Sequence, residues 1–595
     1  MENSESKRWM RRPEPFEFRK AKAEPRLRTQ NKGTGVTPGW PAPREWVVAG
    51  AVLAFACYVA HFLYVRRFGL YEDDYIYTLG CFNWSVGHWW GEAVKAIVHP
   101  VQGRPLNHLL RRTIDFVLLR GDTLLYAHLA SWAMLSANAA LLYALARRHL
   151  GRLAALAAAL VYVLYPADTS RQILMHQTDL LLGTTLCLGG LLAFARGRAW
   201  LGWLFGVCCL LNYESFYLPL IVAPLLAESF EFRRDWKRLV RHALAFFGIA
   251  VAVVAARGLL GDDRAKDLAG GGAGAAAWRA IRALWLGPLA SLRAGVVEPI
   301  RAMAVAAPAD LLAGAVAALG IGAGLAWALR SGGAEDAVGG RRRRAAVRVA
   351  AAGVLAWTAA YALCIRPDNF PPMIVLGRLS GVHVAGSVGA ALLAGALIEG
   401  LGKRLHARGA RMALVGILAA ACGLMAVRGV RIQRTEYVAH WREQQRFWTK
   451  LVTLIPDLRD GEPVLLDIRG PRGVFPETPG FPRFGLVNYA PVTLHRIIRY
   501  PADWKTVPRV FCLYDGVPAY AQPDGVLLKT PEWFWTGLWP VVRDGHFISL
   551  RERRGRLVRS DAPIELAGKV LRPRPQDRGV ETVEPNRLMR ALFER

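Results

Sequence analysis

Residues 200–227 read WLGWLFGVCCLLNYESFYLPLIVAPLLA, two apolar runs parted by Asn212-Tyr213-Glu214-Ser215. The reading of this interruption decides the fold. As one helix with a polar break, the stretch crosses an apolar layer once. As two segments, 200–211 and 216–227, joined by a tight turn, it crosses twice and every later segment reverses direction. A carboxylate such as Glu214 left alone in a bilayer costs roughly several kcal/mol, so it needs water, a cation or a donor side chain. A turn at a membrane face supplies that; one long helix with a polar break stays open as the alternative.

Working outward, nine more apolar runs flank the pair: 46–65, 124–146, 153–165 and 180–195 before it, and 243–260, 311–329, 349–363, 384–398 and 412–427 after it. A hydrocarbon core of about 30 Å takes roughly 20 helical residues. The spacing therefore predicts a polytopic α-helical membrane protein of about eleven spans. The composition agrees, with 595 residues, 53% hydrophobic and 21% charged. A formal net charge of +30 goes with that apolar content. Disordered basic tails lack the hydrophobicity, and a soluble nucleic-acid binder would gather its charge on one face of an ordinary domain. Nucleic acid is not an expected partner; membrane lipids are.

The charges sit at the ends of the apolar runs and set the orientation. Residues 1–45 are rich in Lys and Arg, lack an apolar run of signal-peptide kind and read as a cytoplasmic segment. On the same side fall Arg147, Arg148 and Arg152, then Arg196 and Arg198, then Arg233, Arg234, Lys237, Arg238 and Arg241. Arg341 to Arg344 and Lys403, Arg404, Arg408 and Arg411 follow. The short outward turns carry few: Arg171, Arg366 and Arg378. This pattern places the protein in the plasma (inner) membrane with its C-terminal part outside, and it requires the turn at Asn212.

The expected organisation is a membrane domain over 46–428 and an extracytoplasmic α/β domain over 429–595. Two long outer loops are expected at 68–122 and 261–310. The first carries an amphipathic helix with Leu109, Leu110, Ile114, Val117 and Leu118 on its apolar face, beside Arg111 and Arg112. The second opens on a Gly-rich, mobile stretch at 270–274. Beyond Arg428 a helical segment, 436–455, precedes short strands at 464–468, 510–514, 525–528 and 546–550. Of eight cysteines only Cys81 and Cys512 fall outside the spans, which leaves room for one disulfide without implying it. No CxxC or HExxH pattern speaks for zinc.

Chemistry is expected from polar residues gathered at the outer face. Tyr71-Glu72-Asp73-Asp74-Tyr75 comes just after the first span, and three adjacent carboxylates call for a cation, a positive partner or use as a base, unless they simply complement a helix N-terminus. Tyr165-Pro166-Ala167-Asp168-Thr169-Ser170-Arg171 leads through His176 to Asp179, where a helix re-enters the membrane. Glu214 marks a third turn on the same face. His88, His99 and His383 are isolated outward histidines of the structural kind, and Trp84, Trp89 and Trp90 read as an interface belt.

The order of these motifs resembles that of GT-C-type polytopic glycosyltransferases over residues 46–230. Asp73-Asp74 resembles the acidic motif of the first outer loop in that class. Gly103-Arg104-Pro105-Leu106, Tyr126-Ala127-His128-Leu129 and the Arg147 to Arg152 stretch are similar to the region after that motif in transmembrane protein O-mannosyltransferases. Tyr165-Pro166 and Asp179-Leu180-Leu181 resemble that family's next outer turn and span, and Asn212-Tyr213-Glu214-Ser215 with Leu218-Pro219 resembles its Lys-Glu hairpin. Tyr213 stands where the family has Lys, and Ser170 where it has an acid. The tetratricopeptide repeats of some relatives are absent.

The resemblance implies transfer of a sugar from a polyprenyl-phosphate donor to a hydroxyl on a lipid, glycan or protein acceptor, with inversion. Asp73 is the expected base, with Asp74 next. Arg104, Arg171 and Arg378 are the expected phosphate ligands, and Asp168, Asp179 and Glu214 are expected to position substrate or loop. No cofactor is implied with certainty, and a divalent cation stays open. The competing readings are a transporter or flippase and a non-catalytic scaffold.

Overall fold

In chain order the helices are α1 (Pro43–Cys57), widened through Tyr58–Phe62, α2 (Asp74–Cys81), α3 (Val86–Val98), α4 (Pro105–Leu118), α5 (Leu125–Arg147), α6 (Arg152–Val163), α7 (Leu182–Ala195) and α8 (Ala199–Asn212). Next come α9 (Phe232–Leu259), α10 (Ala273–Ala304), α11 (Pro308–Arg330), α12 (Gly339–Ala359), α13 (Val384–Arg404), α14 (Arg408–Ile432), α15 (Ala439–Thr453) and α16 (Arg587–Leu592). This computed structural model describes residues 42–82, 84–98, 103–120, 123–228, 230–259, 273–331, 339–364, 370–467, 493–513, 517–529, 539–553 and 556–594. The basic N-terminal segment up to Pro41, His99, Arg366, Gly270 to Gly272 and Tyr514 lie outside the described residues. Among the described residues eight helices are long and apolar enough to cross a membrane. The chain is a multi-pass helical membrane protein on that ground.

The turn at Asn212 exists. Tyr213 leaves the helix with φ −153°, and the chain continues through tighter 3₁₀-type turns at Glu214–Phe216 and Leu218–Leu226. Glycine packing shows the reversal. A Cβ on Gly202 would strike Phe194 and one on Gly189 would meet Phe205, so α8 runs antiparallel to α7. A Cβ on Gly183 would strike Phe216 and one on Gly190 would strike Leu220, so the next segment returns along α7. Pro219 and Pro224 lack the N–H that an α-helix would use, which accounts for the tighter coil.

The two ends of the bundle differ as the charge pattern expects. At one end Glu45 accepts from Tyr143 (2.6 Å), Arg147 (2.7 Å) and Arg152 (2.8 Å), Gly151 donates to Glu399, and Arg348 donates to the Ala227 and Phe230 carbonyls. At the other end lie the acidic turns.

The expected second outer loop needs correction, because α10 fills most of it. It is long and apolar enough to be one of the eight candidate spans, and it packs on α12, α14 and the turn after α6. Ala283 packs with Trp357, Tyr361 and Cys364, Ser291 Oγ is 2.8 Å from the Tyr361 hydroxyl, and Ala294 packs with Tyr165 and Ala167. Those partners sit at the C-terminal ends of α6 and α12. Small residues face the bundle, while Trp278, Trp285, Leu289, Leu292, Val296 and Ile300 are exposed. That stripe suits contact with lipid.

The C-terminal part is mixed α/β, as expected. Strands β1 (Val464–Asp467), β2 (Val510–Leu513), β3 (Ile548–Arg553) and β4 (Arg556–Arg559) form a sheet in the order β2-β1-β3-β4. Val464 is paired with Val510 and Ile548 in parallel, and β4 closes as an antiparallel hairpin on β3 with Leu550 opposite Arg559. Gly525–Leu528 is the middle strand of a separate antiparallel sheet. Cys81 and Cys512 are both free thiols. No break separates this part from the bundle at residue 429, since one helical run extends from Arg408 to Thr453, 46 residues.

Candidate functional site

The segment after α1 is pressed against the long helical run. A Cβ on Gly69 would fall 1.8 Å from the Trp441 ring, so only glycine fits there. Tyr71 donates from its hydroxyl to the Tyr437 carbonyl at 3.2 Å, and Tyr437 donates in turn to the Thr169 carbonyl. Arg496 donates to the Tyr75 and Ile76 carbonyls, which fastens α2 to the C-terminal part. Glu72 has φ 53°, a left-handed conformation that glutamate rarely adopts.

The three adjacent carboxylates have different environments. Asp74 accepts backbone N–H bonds from Tyr71 (3.0 Å), Leu174 (3.1 Å) and Met175 (2.8 Å), which ties the first acidic turn to the second. This is a structural use, and it removes Asp74 from the candidates for the base. Asp73 forms an ion pair with Arg378 at 2.7 Å, and Arg378 keeps 41% of its side chain exposed. Glu72 is buried beside both. Burial, with Asp73 and Asp74 adding repulsion against the pull of Arg378, pushes its carboxyl up to about 8. Burial pushes Asp74 up to about 8 as well, against its three N–H donors. Mutual repulsion at this surface is thus relieved by keeping two carboxyls neutral.

These raised carboxyls make stability depend on pH. Free carboxyls titrate near 4, so the fold binds protons on Glu72 and Asp74 more tightly than the unfolded chain does. Their contribution is complete below about pH 4 and is lost as pH rises through about 8. Melting of the wild type in lipid should fall from about pH 6 to about pH 9, and Glu72→Gln should flatten part of that fall. An identical slope in the variant would remove Glu72 from the account.

Asp168 and Arg171 form a closed unit. Asp168 accepts from the Ser170 N–H (2.9 Å), the Ser170 hydroxyl (2.7 Å) and Arg171 (2.9 Å). Arg171 also donates to the carbonyls of Val163 (2.6 Å) and Tyr162 (2.9 Å), capping the C-terminus of α6. Against the effect of burial, Arg171 and Ser170 hold the Asp168 carboxyl below the usual range. Arg171 is 3% exposed, so the structure uses it as a clamp and not as the expected phosphate ligand. Arg104 is likewise engaged: its guanidinium donates to Glu214 at 3.0 and 2.6 Å, lies 4.0 Å from the centre of the Tyr213 ring and is 5% exposed. Arg257 approaches Glu214 at 3.6 Å. Glu214 therefore positions a loop, and the Tyr213 ring packs on Arg104.

Of the expected apolar face of α4, Leu109, Leu110, Ile114 and Leu118 are only half-buried, and a polar stripe is turned inward instead. Asn107, His108, Arg111 and Asp115 are buried and Val117 is exposed. Arg111 forms an ion pair with Asp179, bonds Asn107 at 2.9 Å and lies 4.5 Å from the centre of the Tyr77 ring. Asn107 donates to Asp179 at 2.6 Å, and Asn212 donates to the Thr178 carbonyl at 3.0 Å. Asn107, Asn212 and Arg111 as a partner of Asp179 were missed by sequence reasoning. The signal was the four-residue spacing of Asn107, Arg111 and Asp115, which puts a polar stripe on one helix face.

His383 bonds the Tyr361 hydroxyl (2.8 Å) and the Ile374 carbonyl (3.0 Å), a structural role as expected. His88 packs against Trp84, Trp89 stacks on Phe116, and Trp90 is exposed. Among the described residues no three His, Cys, Asp or Glu side chains converge as metal ligands. The surviving constellation is Asp73 beside the partly exposed Arg378, fixed from below by Asp74 and walled by the 168–171 turn, whose Thr169 N–H donates to Ser380 Oγ at 2.9 Å. A carboxylate next to a guanidinium can accept a proton and hold an anion at neighbouring points. No family model, curated protein or solved structure matches the chain.

Proposed function

We propose that the chain is a membrane glycosyltransferase of the GT-C type, moving a sugar from a polyprenyl-phosphate donor to a hydroxyl of a lipid, glycan or protein acceptor at the outer face of the plasma membrane. The observation that carries this reading is the Asp73–Arg378 pair, a carboxylate and a cation at the end of a helical bundle. An acceptor hydroxyl is a weak nucleophile until a carboxylate takes its proton. The leaving phosphate keeps the electron pair of the broken glycosidic bond, and a fixed guanidinium stabilises it. In this reading the donor phosphate competes with Asp73 for Arg378, and its binding frees the carboxylate to act as base. Displacement at one carbon inverts the anomeric configuration.

The test is turnover by purified protein in lipid, given polyprenyl-phosphate sugars and candidate acceptors, with free polyprenyl phosphate as the readout. Arg378→Ala should raise the donor KM by about tenfold to a hundredfold, the scale of a charge-assisted bond. An unchanged KM would take the phosphate away from Arg378. The buried network of Arg111, Asp179 and Asn107 favours a second reading, a transporter that relays protons. Solute accumulation in vesicles with no donor consumed would decide for it.

A further inference from the structure

Beside the site, and separate from it, lies a basic cleft that the transferase reading does not use. Tyr64, Arg67, Arg434, Thr435, Val438 and Arg442 line it, and it encloses about 540 Å³. Its walls are fixed to each other: Gln433 accepts from the Tyr64 N–H at 3.2 Å and donates to the Val59 carbonyl at 3.0 Å. One guanidinium is held from behind, as Asp310 accepts from Arg434 at 3.1 and 2.7 Å. Glu436 is turned to Thr435 (3.1 Å) and His440 (4.0 Å). Arg67 and Arg442 are exposed.

The surroundings say what kind of anion fits. Arg67 closes the first candidate span, Pro43–Arg67, so the cleft lies where that helix would leave the hydrocarbon. A cationic cleft at the end of a span matches a molecule with an anionic head and a hydrocarbon tail.

We propose that this cleft binds the phosphate of a membrane lipid, a monoester or diester, with the chains in the adjoining bilayer. Arg67 and Arg442 hold the phosphate oxygens by paired N–H bonds, and Arg434 adds charge from a fixed position. The proposal needs only a bilayer and does not depend on the transferase reading.

The experiment places the full chain in phosphatidylcholine nanodiscs and titrates phosphatidic acid, counting retained lipids by native mass spectrometry, with inorganic phosphate in a parallel titration. One saturable phosphatidic acid is expected per chain, and Arg67→Ala/Arg442→Ala should weaken it at least tenfold. Arg301→Ala/Arg330→Ala, which removes the same charge elsewhere, should leave it unchanged. Equal affinity in the first double variant, equal loss in the second, or inorganic phosphate binding as tightly as the lipid would each overturn the proposal. If the first double variant fails to fold, Arg442→Gln alone, with an expected threefold loss, carries the test.

Discussion

Asp73→Asn is expected to lower donor turnover by about two to four orders of magnitude while leaving the protein folded and its donor KM close to wild type. The magnitude is that of a general base in the transition state. Asparagine keeps the shape and one oxygen for Arg378, but it cannot take the acceptor proton. Asp74→Asn should fail in another way. Its carboxyl oxygens accept three backbone N–H groups, and an amide presents an NH2 group to some of them. That variant should melt earlier and lose activity in proportion to folded protein. On the transferase reading, adjacent acids separate into one that acts and one that holds. Wild-type turnover in Asp73→Asn would sink the base assignment, and a normal melting profile in Asp74→Asn would sink the structural one.

The second large effect lies below the site. Arg111→Met should destabilise the bundle by about 3–5 kcal/mol, because Asp179 is then left charged without its main partner in a dry interior. Both side chains of this pair are only about a twentieth exposed, at 5% and 6%. Arg111→Met/Asp179→Leu should recover most of the loss, since removing both charges also removes their desolvation cost. Thermal denaturation in lipid of the single and double variants gives the comparison. If the double variant is as weak as the single, the network of Asn107 and Asn212 depends on the ions themselves and not on their balance.

Sequence alone resolved the bundle well where apolar length and charge agree. The turn at Asn212 and the separation of basic from acidic ends were readable because a carboxylate and clustered arginines carry large desolvation costs. α10 was not, since Arg279, Arg282 and Arg293 interrupt its apolar run and leave it the least apolar of the eight candidate spans. The inward face of α4 was misread for a related reason. Leucines at 109, 110 and 118 suggested an apolar side, whereas the bundle needed Asn107 and Arg111 to meet Asp179. Of the three arginines expected at phosphate, only Arg378 remains open to solvent. Nothing in a single sequence separates Arg378 from Arg171, because partners such as the Val163 carbonyl are main-chain atoms that any residue provides.

The unbroken run from Arg408 to Thr453 has a mechanical consequence. A rod of 46 residues without a joint cannot let the C-terminal part swing over the acidic turns and away again. Its widened turn at Gln433–Val438 is pinned to the first span through Gln433. The part above the bundle is a strut and not a lid. On the transferase reading, the walls around Asp73 are shaped before the donor arrives, and a lipid-linked donor enters from the side, along the plane of the bilayer.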